Sequence, residues 1–440
     1  MIRLIILCFL LGSGWCRTAA AENRFPRPEF DTAYVQPVTT TPAPRALALQ
    51  HLDVVVLAVT LTLAAAFAVR WRSRRGLRLL TLFSLLYFGF WRQGCVCAVG
   101  ATQNIVLAFA DHSYAIPVTV VAFFALPLLF ALFFGRVFCA AVCPLGAMQD
   151  VVILKPLRLP RWLSHLLGLL PFAYLALALL FAATGGMFVI CRYDPFVGFF
   201  RLSAPASMLW FGGILLVLGT VIARPYCRFL CPYGALLKAA SWVSKWHLAI
   251  TPDACVDCRL CRPACPFDAI RWPSSPRPVR SHQSDVRRFA IFLVALPLAV
   301  ALGAWTGLRL APALATSLPE IRLARAMTAP PAGRPAVLAV ETDAFLETGE
   351  PLPALFARAA ATEHRFAMGS AITGGFLAAI IVLKLLSLST RRKLAAHVPD
   401  RAECLSCGRC MDACPVGLLC IKERVEGLPR SELIAPAAVD

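Results

Sequence analysis

Apolar positions along this chain run on in long stretches, without the alternation of strands or the spacing of amphipathic helices. Seven such runs lie near residues 51–69, 77–93, 116–134, 165–184, 207–223, 289–308 and 367–388. Each approaches the ~20 residues that carry a helix across a bilayer core of ~30 Å. In lipid the backbone must satisfy itself, so continuous apolar runs predict spanning helices. The second run has the shortest core, Leu79–Trp91. An earlier run, Leu4–Leu11, follows Arg3 and precedes Ala19-Ala20-Ala21. That is the form of a secretory signal peptide over residues 1–21, cleaved after Ala21. Residues 22–50, rich in Pro and Thr, predict an extended periplasmic linker.

The polar positions between the runs set the orientation. Segments 70–78, 135–164, 224–288 and 389–440 together hold 28 Lys and Arg, against 11 in segments 22–50, 94–115, 185–206 and 309–365. Rich and poor segments alternate strictly, so the rich set is cytoplasmic, the mature N-terminus periplasmic and the C-terminus cytoplasmic. The expectation is a five-helix membrane domain over 51–238 and a cytoplasmic segment over 239–288. A helix over 289–308, a periplasmic insert over 309–365, a helix over 366–388 and a cytoplasmic segment over 389–440 complete the chain. The place is the bacterial cytoplasmic membrane, with lipid around a multi-pass chain.

Composition agrees. Of 440 residues, 59% are hydrophobic and 15% charged, which excludes a disordered chain and departs from a soluble domain. The net charge of +19 lies between the apolar runs, so it reads as positive-inside bias and no nucleic-acid partner is expected.

The 18 cysteines carry the chemistry. CVDCRLCRPACP supplies Cys255, Cys258, Cys261 and Cys265; CLSCGRCMDACP supplies Cys404, Cys407, Cys410 and Cys414. Both are C-x2-C-x2-C-x3-C-P, the bacterial ferredoxin spacing for [4Fe–4S] clusters, in which three thiolates wrap one face and the fourth serves the other cluster. Cys255, Cys258, Cys261 and Cys414 are therefore expected to hold one cluster, and Cys404, Cys407, Cys410 and Cys265 the other. That requires the two segments to dock, and the topology puts both on one side. Zinc sites use two C-x2-C pairs without the trailing C-P, and disulfides do not suit a reducing cytoplasm.

GRVFCAAVCPLGAMQD (135–150) and ARPYCRFLCPYGALLK (223–238) repeat each other where a span reaches the cytoplasm. Cys139 and Cys143, like Cys227 and Cys231, are spaced to share a helical face. Together they offer four thiolates to a metal or a cluster, or two redox dithiols. A degenerate third copy, Cys97-Ala-Val-Gly-Ala-Thr-Gln103, matches Cys143-Pro-Leu-Gly-Ala-Met-Gln149. Its thiols, Cys95 and Cys97, fall on the periplasmic side, as does Cys191, and the three form a candidate outer metal or redox site or a disulfide with a spare thiol. Cys8 and Cys16 leave with the signal, and Cys420 has no assigned role. There is no C-x-x-C-H, and the histidines lie at or beyond span ends, so no haem is expected. Val99 stands where covalent flavin attachment needs a hydroxyl, so no covalent FMN is expected. Walker A, dinucleotide and hydrolase signatures are also missing from the sequence.

The two C-x3-C-P helices, the DPF segment after Cys191 and the ferredoxin sets together resemble the NosR/NapH-type membrane iron–sulfur proteins over roughly residues 75–290 and 365–420. The resemblance implies electron transfer at the cytoplasmic membrane toward periplasmic reductases, and for the NosR branch toward copper-containing nitrous-oxide reductase. NosR-type proteins carry a periplasmic flavin-binding domain before the spans, where this chain has residues 22–50, so a separate flavoprotein partner is expected. A related C-x3-C-P group, the CcoG-like proteins, implies copper reduction for oxidase assembly.

The resulting expectation is an all-α polytopic membrane protein of about seven helices. A cytoplasmic ferredoxin-like unit with two [4Fe–4S] clusters is built from its two separated segments. It moves electrons as a carrier or quinol dehydrogenase-like subunit, with a quinone or the C-x3-C-P cysteines bridging to a periplasmic redox enzyme. The alternative is a copper-handling assembly factor, since soft thiolates favour Cu(I).

Overall fold

The computed structural model describes residues 46–94, 97–185, 187–250, 255, 258–272, 282–328, 336–389 and 397–415. The expected signal peptide, most of the linker, Cys95 and Cys420 lie outside these residues.

The chain enters with α1 (Leu47–Ala65), which continues as a π-helical turn to Arg70. α2 (Arg74–Ser84) is likewise prolonged by a π-helical segment, Leu85–Trp91. α3 (Ala98–Ala110) and α4 (Val118–Phe134) follow, then a π-helical turn Phe138–Val142 and α5 (Pro144–Val151). α6 (Arg161–Leu167) and α7 (Leu170–Ala183) form one long rod. Two short turns, α8 (Val189–Arg192) and α9 (Val197–Arg201), lead into α10 (Ala206–Val221), α11 (Pro225–Phe229) and α12 (Pro232–Trp242). α13 (Cys261–Ala264) and β1 (Ile270–Arg271) carry the first ferredoxin set. α14 (His282–Ala315), α15 (Pro319–Thr328), α16 (Ala336–Glu347) and α17 (Leu352–Ser389) form a helical hairpin with a capped outer end. β2 (Val398–Pro399) and α18 (Arg409–Asp412) carry the second set.

Four helical stretches among the described residues are long and apolar enough to cross a membrane: Leu47–Arg70, Arg161–Ala183, Arg287–Ala315 and Leu352–Ser389. The other expected spans are shorter: α4 has 17 residues and α10 has 16. At 1.5 Å per residue these reach about 25 Å. Their length is cut by left-handed backbone just before each C-x3-C-P motif. Gly135 (φ +74°) ends α4, and Arg224 (φ +48°) separates α10 from α11. The chain thereby leaves its helix while still inside the protein and delivers its cysteines there.

The main core is built around those cysteines. Cys139, Cys143, Cys227 and Cys231 belong to one buried apolar cluster with Leu61, Phe88, Phe138, Phe196 and Tyr233. A smaller cluster of Leu180, Ala311 and Phe366 joins α7 to the hairpin. Within the hairpin, α14 and α17 pack along their length. A Cβ at Gly307 would run into the Ser370 carbonyl, so glycine is what permits that approach. Outward-facing residues such as Val294 (72% exposed) and Ile372 (74%) form an apolar face suited to lipid.

Replacing Gly307 with Leu should push α14 off α17 and cost about 1–3 kcal/mol, as overpacking does. Thermal unfolding in detergent measures it, and the four buried cysteines, lying in a separate core, should keep their protection from alkylation.

Candidate metal centres

The two ferredoxin segments dock as expected. β1 and β2 pair antiparallel, with Ile270 opposite Pro399 and Arg271 opposite Val398. The Asp400 N–H donates to the Ala269 carbonyl (2.7 Å), and Arg271 Nε reaches Asp400 (2.6 Å). α13 packs on α18. Cys265, Cys404, Cys407 and Cys410 line one cavity, together with Phe267 and Leu405. These four thiols are the set expected to hold one cluster, one contributed by the other segment. The loop folds tightly because Ser406 (φ +51°) and Gly408 (φ +76°) both take left-handed backbone, and the Ser406 N–H points at Cys404 Sγ (3.4 Å).

Burial pushes the Cys404 thiol up to about 12. It also raises Cys265 and Cys410, and Cys261 beside Cys255, Cys258 and Cys414. Such thiols give up their protons only to a metal, so the donor set fits a resident cluster whose iron replaces those protons. Cys255 and Cys258 stand at the exposed rim, with Cys261 and Cys414 buried behind them.

Beneath this unit lies a second chamber. Cys139, Cys143, Cys227 and Cys231 are all buried, brought together by the repeat. The two cysteines of each motif do not share a helical face, contrary to the spacing rule. Cys139 sits in the π-helical turn, whereas Cys143 is extended (ψ 118°) and starts α5. Cys227 is in α11, whereas Cys231 is extended (ψ 112°) and caps α12, its sulfur accepting from the Gly234 N–H at 3.3 Å. The physical reason is the proline after each second cysteine. It disfavours helical backbone at the preceding residue but suits the first position of a new helix.

The chamber is closed by an exchange of arginines between repeats. Arg224, three residues before Cys227, donates to the Cys139 and Ala140 carbonyls of the other repeat. A Cβ on Gly146 would lie 3.4 Å from Arg224, and one on Gly234 would lie 3.4 Å from Arg136. Gln149 bridges the repeats as well, accepting from the Tyr226 N–H (3.1 Å) and donating to Cys227 Sγ (3.2 Å). Among the described residues no group of three or more His, Cys, Asp or Glu is close enough to grip a single metal ion. That holds equally for the ferredoxin thiols. A cluster spreads its sulfur ligands over several iron corners, and it is the group that four thiols in such an arrangement suit.

Arginines also join the chamber to the unit above. Asp150 binds Arg224 (3.3 Å) and Arg409 (3.2 Å). Arg74 donates to the Cys407 carbonyl (3.2 Å), Arg228 to the Phe267 carbonyl (3.2 Å) and Arg136 to the Ala402 carbonyl (3.4 Å). Reading by cysteine spacing overlooks these residues, although an arginine three positions before the first cysteine of both repeats is a visible signal.

The outer thiols are not a bilayer away. Cys97 and Cys143 line the same cavity. Cys191 lies close by, since a Cβ on Gly100 would sit 3.2 Å from its sulfur. The chain reaches this depth because α3 starts inside the protein at Cys97, as α5 does at Cys143.

Comparison with known proteins agrees with this assembly. One 4Fe–4S binding-domain family model matches residues 116–169 and 203–250, the stretches that hold both C-x3-C-P motifs. A second 4Fe–4S binding-domain model matches residues 248–271 and 397–419, the two ferredoxin segments. The electron-transport protein (so named) YccM of Escherichia coli is 29% identical over 31% of this chain and 43% of its own length. NirI of Paracoccus denitrificans is 29% identical over 46% of this chain and 31% of its own length. The regulatory protein NosR of Pseudomonas aeruginosa is 27% identical over 43% of this chain and 28% of its own length. The chain thus spans less than half the length of each of these three relatives. No solved structure matches. Helices long and apolar enough to cross a membrane, together with two 4Fe–4S domain matches, make this a membrane iron–sulfur protein. Within that class it is a NosR/NapH-like 4Fe–4S membrane protein.

Replacing Arg224 with Leu leaves two buried carbonyls without their donor and Asp150 with Arg409 alone, a loss of roughly 3–5 kcal/mol. Thermal unfolding in detergent should show it. Arg224→Lys should recover only part of the loss, because one ammonium cannot span the carbonyls and Asp150 together.

Proposed function

We propose that this protein is a multi-pass conduit of the bacterial cytoplasmic membrane that carries electrons from its cytoplasmic face toward a periplasmic redox enzyme. Cys255, Cys258, Cys261 and Cys414 hold one [4Fe–4S] cluster; Cys404, Cys407, Cys410 and Cys265 hold the second. The chamber of Cys139, Cys143, Cys227 and Cys231 holds a third. When bound, the clusters supply one-electron carriers. The chain's own part is to bury the thiolates, keep water from the chamber, and aim Arg224 and Gln149 at its sulfurs and carbonyls.

The observation that supports this most is the chamber's position. It lies directly under the second cluster loop, and Arg224–Asp150–Arg409 runs between them. A cluster on the inner face alone could not reach across ~30 Å of hydrocarbon, whereas a buried intermediate shortens the step. Cytoplasmic carriers or a membrane quinol are the donors that suit this geometry. The acceptor is a periplasmic reductase or flavoprotein, in line with the NosR and NirI relatives. The Lys and Arg distribution supports an orientation with the C-terminus in the cytoplasm.

Anaerobic protein should hold more than the ~8 iron atoms of two [4Fe–4S] clusters. Cys143→Ser should remove about four of the iron atoms beyond those eight, the content of one cluster, while the ferredoxin paramagnetic signals persist. In membrane vesicles the same variant should abolish reoxidation of the reduced ferredoxin clusters by an impermeant oxidant confined to the opposite side. Unchanged iron and unchanged reoxidation would refute the chamber's role. Normal electron flow with a copper-poor periplasmic enzyme would favour copper handling instead. Separately, Cys265→Ala should extinguish the cluster of Cys404, Cys407 and Cys410, and leave the cluster of its own segment. Loss of the opposite signal would show that the fourth ligands are not exchanged.

A further inference from the structure

The chamber's hydrogen-bond frame occurs twice. In the chamber, Cys143 starts a helix, Gln149 follows six residues later, and its Oε1 accepts from the Tyr226 N–H, immediately before Cys227. On the outer side, Cys97 caps α3, and Gln103 follows six residues later. Its Oε1 accepts from the Ile190 N–H (2.9 Å), immediately before Cys191. The cap is the same kind as at Cys231, with the Gly100 N–H 3.4 Å from Cys97 Sγ. The likeness continues past the second cysteine. Cys191-Arg-Tyr-Asp-Pro-Phe parallels Cys227-Arg-Phe-Leu-Cys-Pro-Tyr with one residue fewer, which puts Asp194 in the place of Cys231. Asp194 is buried, and one of its oxygens accepts from the Phe196 and Val197 N–H groups (2.8 and 3.1 Å).

The hydrogen bonding of the two glutamines differs at one atom, the amide nitrogen. In the chamber, Gln149 Nε2 donates to a cysteine sulfur at 3.2 Å. In the outer copy Gln103 is fully buried (0% exposed), and its Nε2 donates to nothing among the described residues. A buried amide donor without an acceptor is destabilising. Its place beside Cys191 marks where an acceptor belongs. Thiolates and sulfides of a metal centre are such acceptors.

We infer that Cys97 and Cys191, with Asp194 at the third corner, are ligands of an outer iron–sulfur centre whose sulfur accepts the Gln103 Nε2–H. The inference rests on the chamber holding a cluster, since it takes the chamber's frame as its template. The cavity shared by Cys97 and Cys143 sets this outer centre next to the chamber. It would be the last carrier before the periplasmic acceptor.

Anaerobically purified full-length protein in detergent tests this by iron and sulfide content and by electron paramagnetic resonance. Cys97→Ser and Cys191→Ser should each lower iron by ~2–4 atoms, the content of one small cluster, and remove one signal. The signals lost in Cys143→Ser should remain. Gln103→Glu keeps the acceptor for Ile190 but loses the donor. It should retain the iron and shift that signal to a lower potential, which a purely structural glutamine would not do. Iron and spectra unchanged in both cysteine variants would overturn the inference, as would copper in place of iron or a Cys97–Cys191 disulfide in the anaerobic protein. If instead Cys143→Ser changes nothing while Cys191→Ser still removes iron, the chamber reading fails and the outer centre stands.

Discussion

One fully buried guanidinium, Arg224, links the two cysteine repeats and, through Asp150, the ferredoxin unit. Arg224 has no solvent exposure, and a lone charge so placed would be prohibitive. It is tolerated because its planar fork engages several acceptors at once: the Cys139 and Ala140 carbonyls of the other repeat, and Asp150. Asp150 in turn holds Arg409 in the second ferredoxin loop. Membrane chamber and iron–sulfur unit are therefore parts of one charge-balanced object. The carbonyls that Arg224 ties down belong to the short π-helical turn Phe138–Val142, so the same contact answers the problem of carbonyls in a turn too short to satisfy them all itself.

That problem arises wherever helices stop early. α4 and α10 end inside the protein so that cysteines can be presented on extended backbone, and α3 begins there for the same purpose. Irregular backbone at this depth survives only where protein surrounds it. The long rods α1, α6–α7, α14 and α17 supply that surround and meet the lipid. A sulfur-lined interior thus demands a division of labour between rods that span and half-helices that deliver.

Much of this was legible in the residues. The ferredoxin spacing, with its trailing C-P, foretold that segments more than a hundred residues apart would meet, and β1–β2 is that meeting. The repeat at Cys139 and Cys227 foretold a shared chamber. Spacing misled where proline intervened: four residues apart implies one helical face, but Pro144 and Pro232 each start a new helix after an extended cysteine. Hydropathy misled about depth, because a sliding run cannot distinguish a full span from a half-helix that re-enters. Cys97 consequently read as distant from Cys143, though the two share a cavity. The arginine exchange and the Gln103–Ile190 bond were beyond reach, since each depends on a partner about 85 residues away and on the pairing of the repeats.

The pairing of β1 with β2 has a consequence for biogenesis. The wall of the second cysteine cavity is completed by Cys265, made early, while its other three thiols lie beyond α17. Between them in the sequence lies the whole α14–α17 hairpin, whose two long helices are apolar enough to cross a membrane. A nascent chain stalled before that hairpin inserts has the first cysteine set but no strand to pair it with and no lid for its loop. The cavity of Cys265, Cys404, Cys407 and Cys410 is therefore complete only once the segments on both sides of the hairpin have been made and have paired.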